Sequence, residues 1–198
     1  MGLEMEYTDG QTPLDDDEKE GLKIPTIITR AELDEFEQQN IEQAIVWTLK
    51  RKFSVDDILT EKFVKELHRK MFVDVWVWAG EFRITNKNLG VDKWEIGAEL
   101  KKLLDDTAYW ISHQSYHADE IALRYKHRMV SIHCFANGNG RHSRLMADII
   151  ASHVFKQQVF SWGTKYANIP GESRDEYLKA IRAADRGDYL PLLDFARV

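Results

Sequence analysis

The sequence predicts a mostly α-helical protein with one small β-hairpin. Three observations point there. Apolar residues recur at helical spacing in six separate stretches. Two of those stretches open with a Ser/Thr-x-x-Glu capping box. Alternation breaks the helical pattern at one place, "VWVWAGEFRI". At 198 residues the chain suits one domain with a real core.

The elements follow in order. Residues 1–25 are polar and acidic, with a turn-like "TDGQTP" and a run of acids over Asp15–Glu18. They read as an acidic N-terminal tail carrying one short helix over Asp15–Glu20. Residues 26–198 then form a single domain. Thr29 caps the first long helix, with Glu32 completing the box and Leu33, Phe36, Ala44, Ile45 and Leu49 as its apolar positions. A second helix runs from about Thr60 to Phe72, with Phe63, Val64, Leu67 and Met71 on its inner face. The aromatic run follows, and "NKNLG" reads as a hairpin tip, placing the hairpin at about Phe82–Ile96. Helices resume at Ala98–Ser112 and at His117–Ile132, and again after "NGNG" with Leu145, Met146, Ile149, Ile150 and Val154. A late helix opens at "SRDE" (Ser173, Glu176) and stops near Gly187.

Composition excludes several classes. The net charge is −6, which argues against broad nucleic-acid binding. The single cysteine, Cys134, allows no intrachain disulfide and favours a reducing compartment. No apolar run reaches transmembrane length, and the acidic start is unlike a signal peptide. A cytoplasmic location is expected, with no membrane partner.

The chemistry concentrates in "HCFANGNGRHSR", residues 133–144. This stretch joins two patterned helices. A helix start carries unpaired N–H groups and about half a positive charge. Glycines let a phosphate approach those N–H groups, and asparagine tolerates the backbone angles of a tight loop. Arg141 and Arg144 are three residues apart and could lean over the same helix end. The whole describes a pocket for a polyanion such as a nucleotide polyphosphate. A free imidazole titrates near pH ~6.5, so His133 suits a general base.

This stretch resembles the Fic family motif His-x-Phe-x-Asp/Glu-Gly-Asn-Gly-Arg-x-x-Arg. His133, Phe135, Gly138, Asn139, Gly140, Arg141 and Arg144 match it at identical spacing. "LHRKMF", "WAGEFR", "RHSRLMAD" and "YLKAIRAADRGDYLPLLDF" also look like Fic chains, so the likeness covers about Thr29–Phe195. Among Fic proteins the chain is most similar to the subgroup labelled mobile mystery protein B. The resemblance implies a Fic-like helical domain that transfers AMP from ATP to a Tyr, Thr or Ser hydroxyl of a target protein. His133 would be the base. The N–H groups of Gly138–Gly140 would hold phosphates, Asn139 would contact the α-phosphate region, and Arg141 and Arg144 the β- and γ-phosphates. Phe135 would anchor the loop, and the hairpin would clamp the target segment. Doc-like phosphotransfer and a nucleotide-binding module without transferase activity are the alternatives. The subgroup likeness also implies a small helix-turn-helix partner.

Two positions depart from the family. Cys134 replaces a frequent proline. Asn137 stands where an Asp or Glu holds Mg²⁺, and an amide oxygen brings no charge to a hard cation. Many Fic proteins are silenced by a glutamate that occupies the second motif arginine. The nearest match here is "DDEKEG", which makes Glu20 the candidate inhibitory residue.

Other residues read more plainly. His113 and His117 lack a third ligand at helical spacing for zinc. His68 and His127 read as packing or surface residues. Trp76, Trp78 and Trp94 read as core or flap packing, and Cys134 as buried rather than reactive.

Overall fold

The computed structural model describes residues 13–164 and 172–198. The helices are α1 (Asp16–Glu20), α2 (Arg30–Leu49), α3 (Val55–Ile58), α4 (Glu61–Phe72), α5 (Ile96–His113), α6 (Ala118–Ile132), α7 (Asn139–Ile149), α8 (Glu172–Ala184) and α9 (Leu190–Arg197). A single π-helical stretch, Ile150–Val154, prolongs α7. Helix α6 is central, packed by α5, α7 and α9, while α4 lies between α2 and α7 and α8 lies on α9.

Local chemistry sets most boundaries. Thr29 and Glu32 form the expected capping box on α2, and Thr60 caps α4 through the Phe63 N–H. Phe63, Val64, Leu67 and Met71 of α4 are all buried. Burying each such side chain contributes about 1.5–3 kcal/mol. Ser54 caps the short α3, a helix that the apolar pattern does not reveal. The expected box at the start of α8 lies outside the described residues, because Ser173's side chain is not among them.

Helix α2 turns a different face inward than its apolar pattern suggests. Leu33 and Ala44 are buried, but Phe36, Ile45 and Leu49 are exposed. Glu37, Asn40 and Thr48 point inward instead. Polar partners explain the rotation. Asn40 Nδ2 donates to Asp74 Oδ2 at 2.7 Å, and the Asp74 N–H returns a bond to Asn40 Oδ1 at 2.9 Å. The Trp76 indole donates to Glu37 Oε1 at 2.6 Å.

The predicted hairpin at Phe82–Ile96 is not a hairpin. Among the described residues no strand forms, and the only bridge is Leu22 with Trp76. The two arms give their N–H groups elsewhere. Arg83 N–H donates to Cys134 O at 2.9 Å and Val91 N–H to Ile132 O at 3.3 Å. The carbonyls that a ladder would use are capped by side chains. Arg83 binds Thr85 O and Val91 O, and Lys93 Nζ binds Ile84 O. Asn86 ties the arms by bonding Asp92 Oδ2 and the Lys93 N–H. The loop is thus stapled across the C-terminus of α6, and α5 begins at Ile96, where the hairpin was to end.

The N-terminal segment reaches this loop. Leu14 is buried in the core. Lys87 Nζ bonds Asp15 Oδ2 at 2.8 Å and Glu18 Oε2 at 2.5 Å, with only 3% of its side chain exposed. Helix α1 matches the short helix expected there, docked as a strap over the loop.

Candidate active site

His133 is the last residue of the α6 turn and caps it in the left-handed region, with φ 59°. This geometry, rare for a histidine, ends the helix and swings the chain into the motif. Arg83 fixes it by donating from Nε to His133 O at 2.6 Å. Gly90 of the stapled loop lies directly against it, because a Cβ there would sit 2.6 Å from His133 Cβ. Burial pushes the imidazole down to about 4, with a Val130 backbone bond opposing and Arg83 and Lys87 adding to the shift. His133 is therefore neutral at pH 7, the form a proton acceptor needs.

The loop after it is braced from inside. Phe135 is fully buried and stacks on the His68 ring at 3.7 Å between centroids. The Asn139 amide braces Phe135: Oδ1 accepts from Phe135 N–H at 2.9 Å and Nδ2 donates to Phe135 O at 2.7 Å. Gly138 has φ 77°, and a Cβ there would meet Phe72 Cζ at 2.5 Å, so only glycine fits. Its N–H donates to the Asn137 side-chain oxygen at 2.5 Å.

Helix α7 then opens without a side-chain cap. Its first bond is His142 N–H to Gly138 O at 2.9 Å. The N–H groups of Asn139, Gly140 and Arg141 precede that bond and have no helical acceptor. A Cβ on Gly140 would meet nothing within 4 Å, so the helix start is uncrowded on that side. An anion fits there for reasons of dipole and geometry together.

The two arginines diverge instead of sharing the helix end. Arg141 Nη1 pairs with Glu37 Oε2 at 2.6 Å, and its guanidinium lies over the Phe72 ring. Arg144 lies between the Tyr177 and Trp162 rings, at 4.5 and 5.7 Å. Tyr177 also accepts from the fully buried Lys126 ammonium. Glu37, Lys126 and Tyr177 border the motif arginines, yet sequence reasoning missed them. A glutamate on a helix face otherwise rich in acids carries no signal of its own.

Glu20 sits exposed on α1, and among the described residues Arg144 meets the Tyr177 and Trp162 rings instead. Cys134 is buried and its thiol is pushed up to about 12 by burial, so it is no nucleophile. His113 stacks on Tyr109, and among the described residues no three His, Cys, Asp or Glu converge on a metal position. His127 links α6 to the C-terminal helices through Asp185 and Tyr189.

For Mg²⁺ the loop offers one neutral oxygen, Asn137 Oδ1, already bonded to the Gly138 N–H and 3.5 Å from Arg141 Nη2. A hard cation takes about six oxygens, so the loop alone is not a magnesium site.

A buried neutral imidazole and a helix N-terminus without a side-chain cap are held together by one glycine-rich turn. Residues 58–151 match the Fic/DOC family. The match spans 94 of the 198 residues, and over that stretch the chain is similar to this family. It is 28% identical over 141 residues to the protein adenylyltransferase Fic of Drosophila grimshawi, and 26% over 144 residues to that of Aedes aegypti. These alignments cover 69% and 71% of this chain but only 28% and 27% of those proteins. The fold matches Bartonella tribocorum BepC with bound AMPPNP, at TM-score 0.61, 18% identity and coverage of 95% and 92% of the two chains. It also matches Fic-1 from C. elegans, at TM-score 0.63, 23% identity and coverage of 89% and 51%.

Proposed function

We propose that the protein is a protein adenylyltransferase, moving AMP from ATP to a Tyr, Thr or Ser hydroxyl of a target protein. One observation carries this reading: His133 is neutral and lies at the head of the turn whose far end leaves three N–H groups without a helical acceptor. The imidazole takes the proton of the target hydroxyl. The hydroxyl oxygen attacks the α-phosphorus, and the bond to pyrophosphate breaks. The N–H groups of Gly140 and its neighbours hold phosphate oxygens as charge shifts to them. Arg141 reaches the same oxygens by releasing Glu37. Mg²⁺ would arrive with the nucleotide, neutralising phosphate charge. The curated relatives bear the name adenylyltransferase, and one structural neighbour holds an ATP analogue, which supports ATP as donor. A stretch of 1–25 with regulatory action and a helix-turn-helix partner belong to the same proposal. Among the described residues no helix is long and apolar enough to cross a membrane, and a cytoplasmic site of action fits that.

The test is incubation with α-labelled nucleoside triphosphates and cell lysate. Protein label that disappears in His133→Ala supports the proposal. Label from γ-labelled ATP alone moves the reading to Doc-like phosphotransfer. A second reading rests on the amide at Asn137: a module that binds nucleotide without turnover. Calorimetric binding with no label at any Mg²⁺ concentration would favour it.

A further inference from the structure

His68 lies on α4, is fully buried, and touches three segments at once. We propose that His68 is a positioning residue for the anion loop, setting the Asn137–Gly138 peptide so that the Gly138 N–H faces the phosphate site. This rests on the polyphosphate reading of that loop.

The geometry fixes the tautomer. Gly80 N–H lies 3.0 Å from His68 Nδ1, and a backbone N–H can only donate. Nδ1 is therefore bare, and the ring proton sits on Nε2. Asn137 O lies 3.1 Å from Nε2 and accepts that proton. In a trans peptide the C=O and the following N–H point opposite ways. A carbonyl drawn inward to His68 turns the Gly138 N–H outward. There the Asn137 Oδ1 caps it, in the place a phosphate oxygen would take. Among the described residues no other hydrogen bond reaches the Asn137 carbonyl.

The ring cannot drift. It stacks on Phe135 with 13° between planes and lies 4.7 Å from the Phe72 ring. Gly80, at the other nitrogen, has φ 86°, and a Cβ there would meet Arg69 Cβ at 2.7 Å. That glycine begins the segment leading to Arg83, which holds His133. One imidazole thus sets the loop and the approach to the stapled loop together. Phenylalanine could keep the stack but would leave two buried polar groups unpaired. Glutamine could restore the donor to Asn137 but not the acceptor for Gly80.

The full chain carrying isotope-labelled glycine tests this. The Gly80 and Gly138 amide resonances are compared in wild type, His68→Gln and His68→Phe. Calorimetry then measures binding of inorganic pyrophosphate and a non-hydrolysable ATP analogue. His68→Phe is expected to move both amides and to weaken binding about tenfold, near the effect of one hydrogen bond to a charged oxygen. His68→Gln is expected to move Gly80 alone and to recover most of the binding. A Gly138 amide unmoved in His68→Phe, or Gln and Phe equally impaired, overturns the proposal. If His68→Phe does not fold, His68→Gln decides: a displaced Gly138 beside an unmoved Gly80 overturns it. If the wild type binds neither probe, the phosphate reading fails, while the amide comparison still decides the role of His68.

Discussion

Replacing Asn139 by alanine should unfold the loop before it touches any chemistry. The side chain is 4% exposed and makes two hydrogen bonds, of 2.9 and 2.7 Å, to the backbone of fully buried Phe135. Its removal strands one N–H and one C=O. Each stranded buried group costs about 1–3 kcal/mol, so the pair costs about 4 kcal/mol. For a chain of this size 1 kcal/mol moves Tm by about 2–4 °C, which puts the loss near ~12 °C. Far-UV circular dichroism on heating measures it. Asn139→Asp keeps the acceptor for Phe135 N–H but sets an oxygen against Phe135 O, so it should lose nearly as much. A Tm shift under about 2 °C, below what one lost bond gives, together with lost nucleotide binding, would refute the brace and make Asn139 a ligand.

Gly140→Ala should behave in the opposite way. The site is open, so the helix start keeps its stability or gains up to about 1 kcal/mol, while the added methyl weakens pyrophosphate binding measured by calorimetry. Glu37→Gln keeps an acceptor for Trp76 and frees Arg141, so nucleotide should bind more tightly; unchanged affinity would mean that this guanidinium does not reach phosphate. Burial holds His133 and His142 at about 4, so the unfolded chain binds more protons than the native one between there and the usual imidazole range. Stability is therefore full above pH ~6.5 and lost as pH falls toward 4, and His142→Gln should flatten that slope in denaturant titrations. Asn137→Asp adds charge attraction for Mg²⁺ and should lower the Mg²⁺ needed for label transfer; an unchanged titration would mean that residue 137 does not meet the metal.

The helices were legible because burial writes periodicity and caps write boundaries. Thr29, Thr60 and Gly138 all sit where their chemistry demands. The turn between α6 and α7 was legible for the same reason. The inward face of α2 was not, because Glu37 and Asn40 are buried by partners distant in sequence. The aromatic alternation at residues 75–84 misled in another way. Trp76 makes one isolated bridge with Leu22 and otherwise packs on Glu37 and Trp78. Asn139 was read as a ligand, and its second role, bracing the turn through Phe135, left no mark in the sequence. A loop asparagine serves either purpose, and only the Phe135 backbone distinguishes them.

The stapled loop between Phe82 and Glu95 also bears on how the protein meets its neighbours. A sheet edge offers a row of open acceptors that any extended chain can join, including another copy of itself. Here Ile84, Thr85 and Val91 have their carbonyls filled by Lys93 and Arg83. Ile84 and Trp94 nevertheless stand out into solvent. A visiting segment would first have to displace charged side chains that return as soon as it leaves. Such an exchange trades one set of bonds for another at little net gain, so contact made this way is brief and reversible. The same caps that deny the loop a ladder let it hold exposed apolar side chains without inviting the chain to stack.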